Sequence, residues 1–206
     1  MASLLVRGFA LGLAIAASPG PIFFLCLRRT LLRGPLVGFA SGLGVATADG
    51  VYAAIAVFGI AAITSVLAGG ARWLALAGGA ALIVLGMRAV LEQPRGAAAQ
   101  PPATGRGLAW AYASTLGLTI TNPATIVSFA ALAAALGSGI SGGFARPAVV
   151  VAGVALGSAT WWGVVAALGS VLRTRVTPTV ARAIGVVSGL AIAGLGVVAV
   201  IAVIRT

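Results

Sequence analysis

The sequence predicts an all-α integral membrane protein of six transmembrane helices. They form two inverted three-helix repeats, with helices one and four broken at proline motifs. Three observations predict this. Apolar residues make up 61% of the 206-residue chain and charged residues only 7%, more apolar surface than a soluble domain can bury. Prolines interrupt the first and fourth apolar segments at corresponding places, Ser18-Pro19-Gly20-Pro21 and Thr121-Asn122-Pro123. The two halves also match in chain order. A shift of 110 lays Arg72 on Arg182, Gly79 on Gly189, Leu85 on Leu195 and Gly86 on Gly196, and a shift of 104 lays Pro19 on Pro123. Three spans per half is an odd number, so the second half sits upside down relative to the first.

The six segments lie near 4–26, 36–60, 72–91, 108–135, 147–170 and 181–204. Each fits the roughly 20 residues that cross a bilayer as a helix. They divide the chain into a first repeat over 1–91, a cytoplasmic linker over 92–107 and a second repeat over 108–206. Arg7, a short apolar run and Ala14-Ile15-Ala16 imitate a signal peptide, but the counterpart of this segment later in the chain argues for a retained span. The loops after spans one, three and five hold Arg28, Arg29, Arg33, Arg88, Arg95, Arg106, Arg173, Arg175 and Arg182. The other side holds Arg7, Arg72, Arg146 and Arg205. The richer set belongs in the cytoplasm, which puts both termini outside. This scatter also accounts for the net charge of +11. There is no basic stripe with interleaved aromatics, so nucleic acid is not a partner.

Span one carries the Pro-Gly-Pro break. Proline lacks an N–H and clashes with the carbonyl four residues earlier, so Pro19 frees the carbonyl of Ile15 and Pro21 that of Ala17. Span two carries Asp49, one of only two acids in the chain. A carboxylate at mid-membrane depth is costly and marks a substrate or proton path; the bland alternative is an internal brace that pairs with an arginine or caps a half-helix. Tyr52, one turn on, is placed to hydrogen-bond Asp49. Small residues recur at Gly38, Gly42, Ala46, Gly50 and Ala54, and later at Gly153 and Gly157, and at Gly185 and Gly189. They read as packing surfaces, within one chain or between the copies of a homodimer.

Span three ends at the linker. Span four repeats the break, with Pro123 freeing the carbonyl of Thr119, and Asn122 can orient a ligand or tie the break together. Trp161 and Trp162 lie deep in span five, where they either pack or wall a cavity, while Trp73 and Trp110 near span ends suit interfacial anchors. Span six closes the second repeat. Irregular backbone inside a membrane is tolerated only against protein or a wet cavity. Two proline-interrupted spans in corresponding positions therefore point to a transporter's binding site. The chemistry suits a zwitterion: Asp49 and freed carbonyls accept from an ammonium, and half-helix N-termini offer N–H groups to a carboxylate.

The chain has no histidine, no lysine and one cysteine, Cys26. That removes the usual general bases, nucleophilic dyads and metal sites, so no enzyme, metal or cofactor is expected. An assembly subunit has no need of backbone exposed at mid-depth.

Three segments together resemble the LysE/RhtB family of bacterial amino-acid exporters. They are Ala17-Ser18-Pro19-Gly20-Pro21, Ser41-Gly42-Leu43-Gly44-Val45-Ala46-Thr47-Ala48-Asp49 with Tyr52, and Leu118-Thr119-Ile120-Thr121-Asn122-Pro123-Ala124-Thr125-Ile126. The resemblance spans nearly the whole chain in the family's order and length. It implies an inner-membrane exporter, driven by the proton gradient, of amino acids or close derivatives. It also implies that the Pro19-Gly20-Pro21, Asp49 and Asn122-Pro123 positions belong to the transport site. The residues themselves add Ser18, Thr121 and Tyr52 to that site, and make Asp49 the proton-coupling group. The rival reading is an exporter of a divalent metal or another small inorganic ion.

Overall fold

A computed structural model describes residues 1–18, 20–58, 61–91, 104–122, 124–129 and 144–204. The chain forms α1 (Ala2–Ala16), α2 (Pro21–Arg33), α3 (Pro35–Val57), α4 (Ala61–Leu91), α5 (Gly105–Ile120), α6 (Ala145–Arg173) and α7 (Pro178–Ile204). Residues 124–129 are also helical, and no strand occurs among the described residues.

Proline sets several helix starts. Pro21, Pro35 and Pro178 open α2, α3 and α7, where a missing N–H costs nothing and a fixed φ suits the first turn. Gly34, at φ 103°, ends α2 and turns the chain into α3; a side chain there would strain the backbone. Thr104 caps α5, its side-chain oxygen accepting from the N–H of Gly107. Residues 105–107, assigned to the linker by sequence, therefore belong to the helix. The rest of that linker lies outside the described residues.

Three helices, α3, α6 and α7, are each long and apolar enough to cross a bilayer, and α1 and α2 together make a fourth candidate bent by 82°. The first apolar segment is thus longer than 4–26. After the break the chain restarts at Pro21, and nothing stops it until Gly34. The helix bounds correct the placement of seven arginines: Arg28, Arg29 and Arg33 lie in α2, Arg88 in α4, Arg106 in α5, Arg173 in α6 and Arg182 in α7, not in loops, and Arg28 and Arg29 are buried.

The main helix pairings are α1 with α6, α3 with α6, α3 with α5 and α4 with α7, and α2 packs against α3, α6 and α7. Small residues make these approaches possible. A Cβ on Gly153 would stand 2.6 Å from the carbonyl oxygen of Leu5 in α1. Between α4 and α7 the glycines meet in exchanged pairs. A Cβ on Gly189 would lie 2.7 Å from the carbonyl oxygen of Gly86, and one on Gly196 would lie 2.8 Å from that of Gly79. These are the positions that the 110-residue shift superposes.

The buried core gathers Ile22, Leu25 and Cys26 of α2, Val45 of α3, Leu82 of α4, Leu118 of α5, Trp162 and Val165 of α6, and Ile192 of α7. A second cluster joins Tyr52 and Ala53 to Phe129 and Val154. Outward faces of α6 and α7 expose Leu156, Leu168, Val187, Leu190 and Val198, the apolar exterior that lipid contact requires. Trp73 and Trp110 are exposed, as interfacial anchors would be.

Candidate functional site

The two helix breaks close in the same way. At the end of α1, the N–H of Ala17 donates to Leu13 and that of Ser18 to Ile15, at 2.9 and 3.2 Å. At the end of α5, the N–H of Thr121 donates to Gly117 and that of Asn122 to Thr119, at 3.1 and 3.2 Å. Each residue of the second set is 104 after its counterpart in the first. The carbonyls of Ile15 and Thr119, expected to be freed by proline, are therefore taken by a tightened last turn. Pro19 and Pro123 themselves lie outside the described residues.

The breaks differ in their next step. Asn122 is buried and uses its side chain locally, with Oδ1 accepting from the N–H of Ala124 at 3.2 Å and Nδ2 donating to Thr125 Oγ1 at 3.1 Å. It thus ties its own break together. The residue at the start of α2 is Gly20, in extended conformation with no side chain to cap the helix.

Both breaks open on one cavity of about 100 Å³, room for several waters at roughly 10–15 Å³ each. Ser18, Gly20 and Pro21 line it from the first break, and Asn122, Ala124 and Thr125 from the second. Asp49 reaches it from α3, with Thr119, Ser128, Phe23 and Trp162. Among the described lining residues Asp49 is the sole ionisable group.

Asp49 is 2% exposed, and its hydrogen-bond partner is a neutral donor, not an arginine: Ser158 Oγ of α6 donates to Oδ2 at 2.7 Å. Tyr52 does not bond Asp49. Its hydroxyl donates to the carbonyl of Ile120 at 2.5 Å, and its ring stacks on Phe129 with centroids 5.7 Å apart. Ile120 ends α5, so its carbonyl has lost its helical partner, and Tyr52 supplies one. Thr121 also stands outside the cavity; its hydroxyl donates back to the carbonyl of Gly117 at 2.9 Å. The structure thus brings Ser18, Gly20, Pro21, Asn122 and Asp49 together, while Tyr52 and Thr121 brace the second break.

Sequence reasoning missed Ser158, Thr119, Thr125 and Ser128. Their hydroxyls resemble the many that bond their own helix, and one signal was available. A shift of 109 lays Gly44-Val45-Ala46 on Gly153-Val154-Ala155, and Asp49 on Ser158. Arg29 does more than mark orientation. It is buried, and its guanidinium donates to Ser41 Oγ, the carbonyl of Ala111 and Ser114 Oγ, each at 3.0 Å. One cation thereby joins α2, α3 and α5.

A family model described as LysE type translocator matches residues 13–203. Comparisons with curated proteins and with solved structures returned no match.

Proposed function

The chain belongs to the LysE type translocator family, and on that premise we propose that it is a secondary exporter of amino acids or close derivatives. It would work across the bacterial inner membrane, driven by the proton gradient, with both termini outside. It is a multi-pass membrane protein of a transporter family, and a transporter, not an enzyme, is what that family implies. The observation that carries the proposal is the shared cavity on which both helix breaks and the buried Asp49 converge.

In this mechanism Asp49 accepts the substrate ammonium. Proton exchange at the same carboxylate couples proton entry to amine exit. The carboxylate end goes to the start of α2. With Gly20 as N-cap, the N–H groups of Ile22 and Phe23 lack a side-chain cap, both residues line the cavity, and the positive end of the helix favours an anion. The second break is less suited to that task, because Asn122 already occupies the N–H of Ala124. A metal exporter is the poorer reading: among the described residues Asp49 is the one anionic ligand lining the cavity, and hard divalent cations need several.

Six spans in two inverted repeats are the architecture we propose around this site. Three relations support it. The breaks match at 104 residues, Asp49 and its partner Ser158 match at 109, and the exchanged glycine pairs of α4 and α7 match at 110. A residue pair that meets its own counterpart is the signature of a two-fold relation. Alternating access would follow from rocking one repeat against the other.

Counterflow of labelled amino acids in proteoliposomes tests the proposal. Wild-type protein should exchange substrate and respond to an imposed pH gradient, and Asp49→Asn should lose the response. Proton-coupled exchange at wild-type rate in Asp49→Asn would remove the acid from the mechanism.

A further inference from the structure

The cavity lining is sorted by level along α3 and α6. These helices run antiparallel, because Gly42 meets Trp162, Asp49 meets Ser158 and Gly50 meets Ala155. Val45 lies four residues before Asp49 on α3, and Trp162 four residues after Ser158 on α6. One turn of helix rises about 5.4 Å, so both lie on one level, a turn away from the carboxylate on the same side. Ile22 and Phe23 of α2 complete that level. Ile22, Val45 and Trp162 share one buried apolar cluster, and the Phe23 ring packs on it with its centroid 6.5 Å from that of Trp162. All four line the cavity. Most of the hydroxyl and amide groups, Ser18, Asn122, Thr125 and Ser128, come instead from the two breaks and the turn beyond the second. The apolar wall is also held in place: a Cβ on Gly42 would stand 2.6 Å from Cγ of Trp162, so the indole lies flush on α3.

Charge separates the substrate classes. Among the described residues, no arginine lines the cavity. Arg29, buried on the same helix as Phe23, is engaged by Ser41, Ala111 and Ser114. A second ammonium or a second carboxylate on the substrate would be desolvated against Val45, Phe23 and Trp162 with no counter-charge, at a cost of several kcal/mol per ion. An alkyl side chain would gain from the same wall.

Resting on the exporter reading above, we infer that the substrates are α-amino acids with uncharged apolar side chains, and that Phe23 and Trp162 set the accepted size. Counterflow is measured separately with labelled L-alanine, L-leucine, L-lysine and L-glutamate. The expected result is exchange of alanine or leucine at least about tenfold faster than lysine or glutamate, the least that an unpaired charge costing more than 1.4 kcal/mol should produce. Phe23→Ala should then raise the rate with L-phenylalanine relative to L-alanine at least threefold. Trp162→Phe gives a second reading of the same wall if Phe23→Ala does not fold. Lysine or glutamate exchanged as fast as leucine would overturn the inference and leave the exporter reading standing, as would a size order unchanged in both wall variants. Failure of all four amino acids to exchange would overturn this inference, and failure of a wider panel that includes amino-acid derivatives would sink the exporter reading as well.

Discussion

Ser158 Oγ donates to Asp49 Oδ2 across 2.7 Å, and that bond joins α3 to α6 with both residues fully packed. The carboxylate is thus held by a neutral donor that fixes one oxygen and adds no charge. Were the partner an arginine, the pair would be an internal brace with no charge left over for a ligand. With a serine, the negative charge keeps its reach toward the cavity.

Ser158→Ala should therefore leave the acid in place but loosen its orientation. A hydrogen bond to a charged group is worth about 1.5–3 kcal/mol, so substrate affinity should fall by at least about tenfold. Ser158→Thr, which keeps the hydroxyl, should restore most of it. Equal behaviour of the Ala and Thr variants would show that the hydroxyl does not position Asp49.

Arg29 fastens α2 to α3 and α5 through three hydrogen bonds. Cys26, three residues earlier on α2, is fully buried and is the chain's single cysteine. Its rate of maleimide labelling therefore reports opening of α2 without any engineered probe. Arg29→Lys keeps the charge but loses the planar fork. It should speed labelling about tenfold, since breaking such bonds costs at least 1.4 kcal/mol. A labelling rate equal to that of the unmodified protein would mean that Arg29 does not hold α2 shut.

Tyr52→Phe removes the bond to the Ile120 carbonyl and keeps the stack on Phe129. The loss should be about 1 kcal/mol, a fall in melting temperature of about 2–4 °C for a chain of this size, with substrate affinity nearly unchanged. A large loss of affinity with no loss of stability would move Tyr52 from the brace to the ligand.

Gly86→Val places a branched side chain where the carbonyl of Gly189 and the N–H of Ala193 approach within 2.5 Å of a Cβ. Overpacking of this kind costs about 1–3 kcal/mol. The melting temperature in detergent should drop by about 5 °C, and Gly189→Val should match it, because the two positions face each other. Gly194→Val, at a position where a Cβ meets nothing within 4 Å, is the control that should melt like the unmodified protein.

Much of the site was legible because its signals are local and expensive. An acid inside an apolar run and prolines inside spans have few harmless explanations, so Asp49, Ser18, Gly20, Pro21 and Asn122 could be named from sequence. Ser158 could not be named from composition. A serine inside a helix usually bonds the carbonyl four residues back, as Ser41 does with Val37, and only the neighbour on α3 distinguishes it. Tyr52 was misplaced for a related reason. One helical turn from Asp49 puts it within reach, but the orphaned carbonyl of Ile120 is a partner 68 residues away that spacing along one helix cannot reveal. Arg28 and Arg29 misled because arginine counting assumes loops, whereas α2 continues past the break to Gly34.

The sequence by itself determined a helical membrane chain, the two breaks and the acid inside a span, Asp49, because the bilayer penalises charge and unpaired backbone wherever they occur along the chain. The tertiary structure alone decided that both breaks and the acid share one cavity, that Ser158 holds the acid, and that Phe23 and Trp162 wall it. Those relations depend on which helix faces meet, and that is set by close packing between residues distant in sequence.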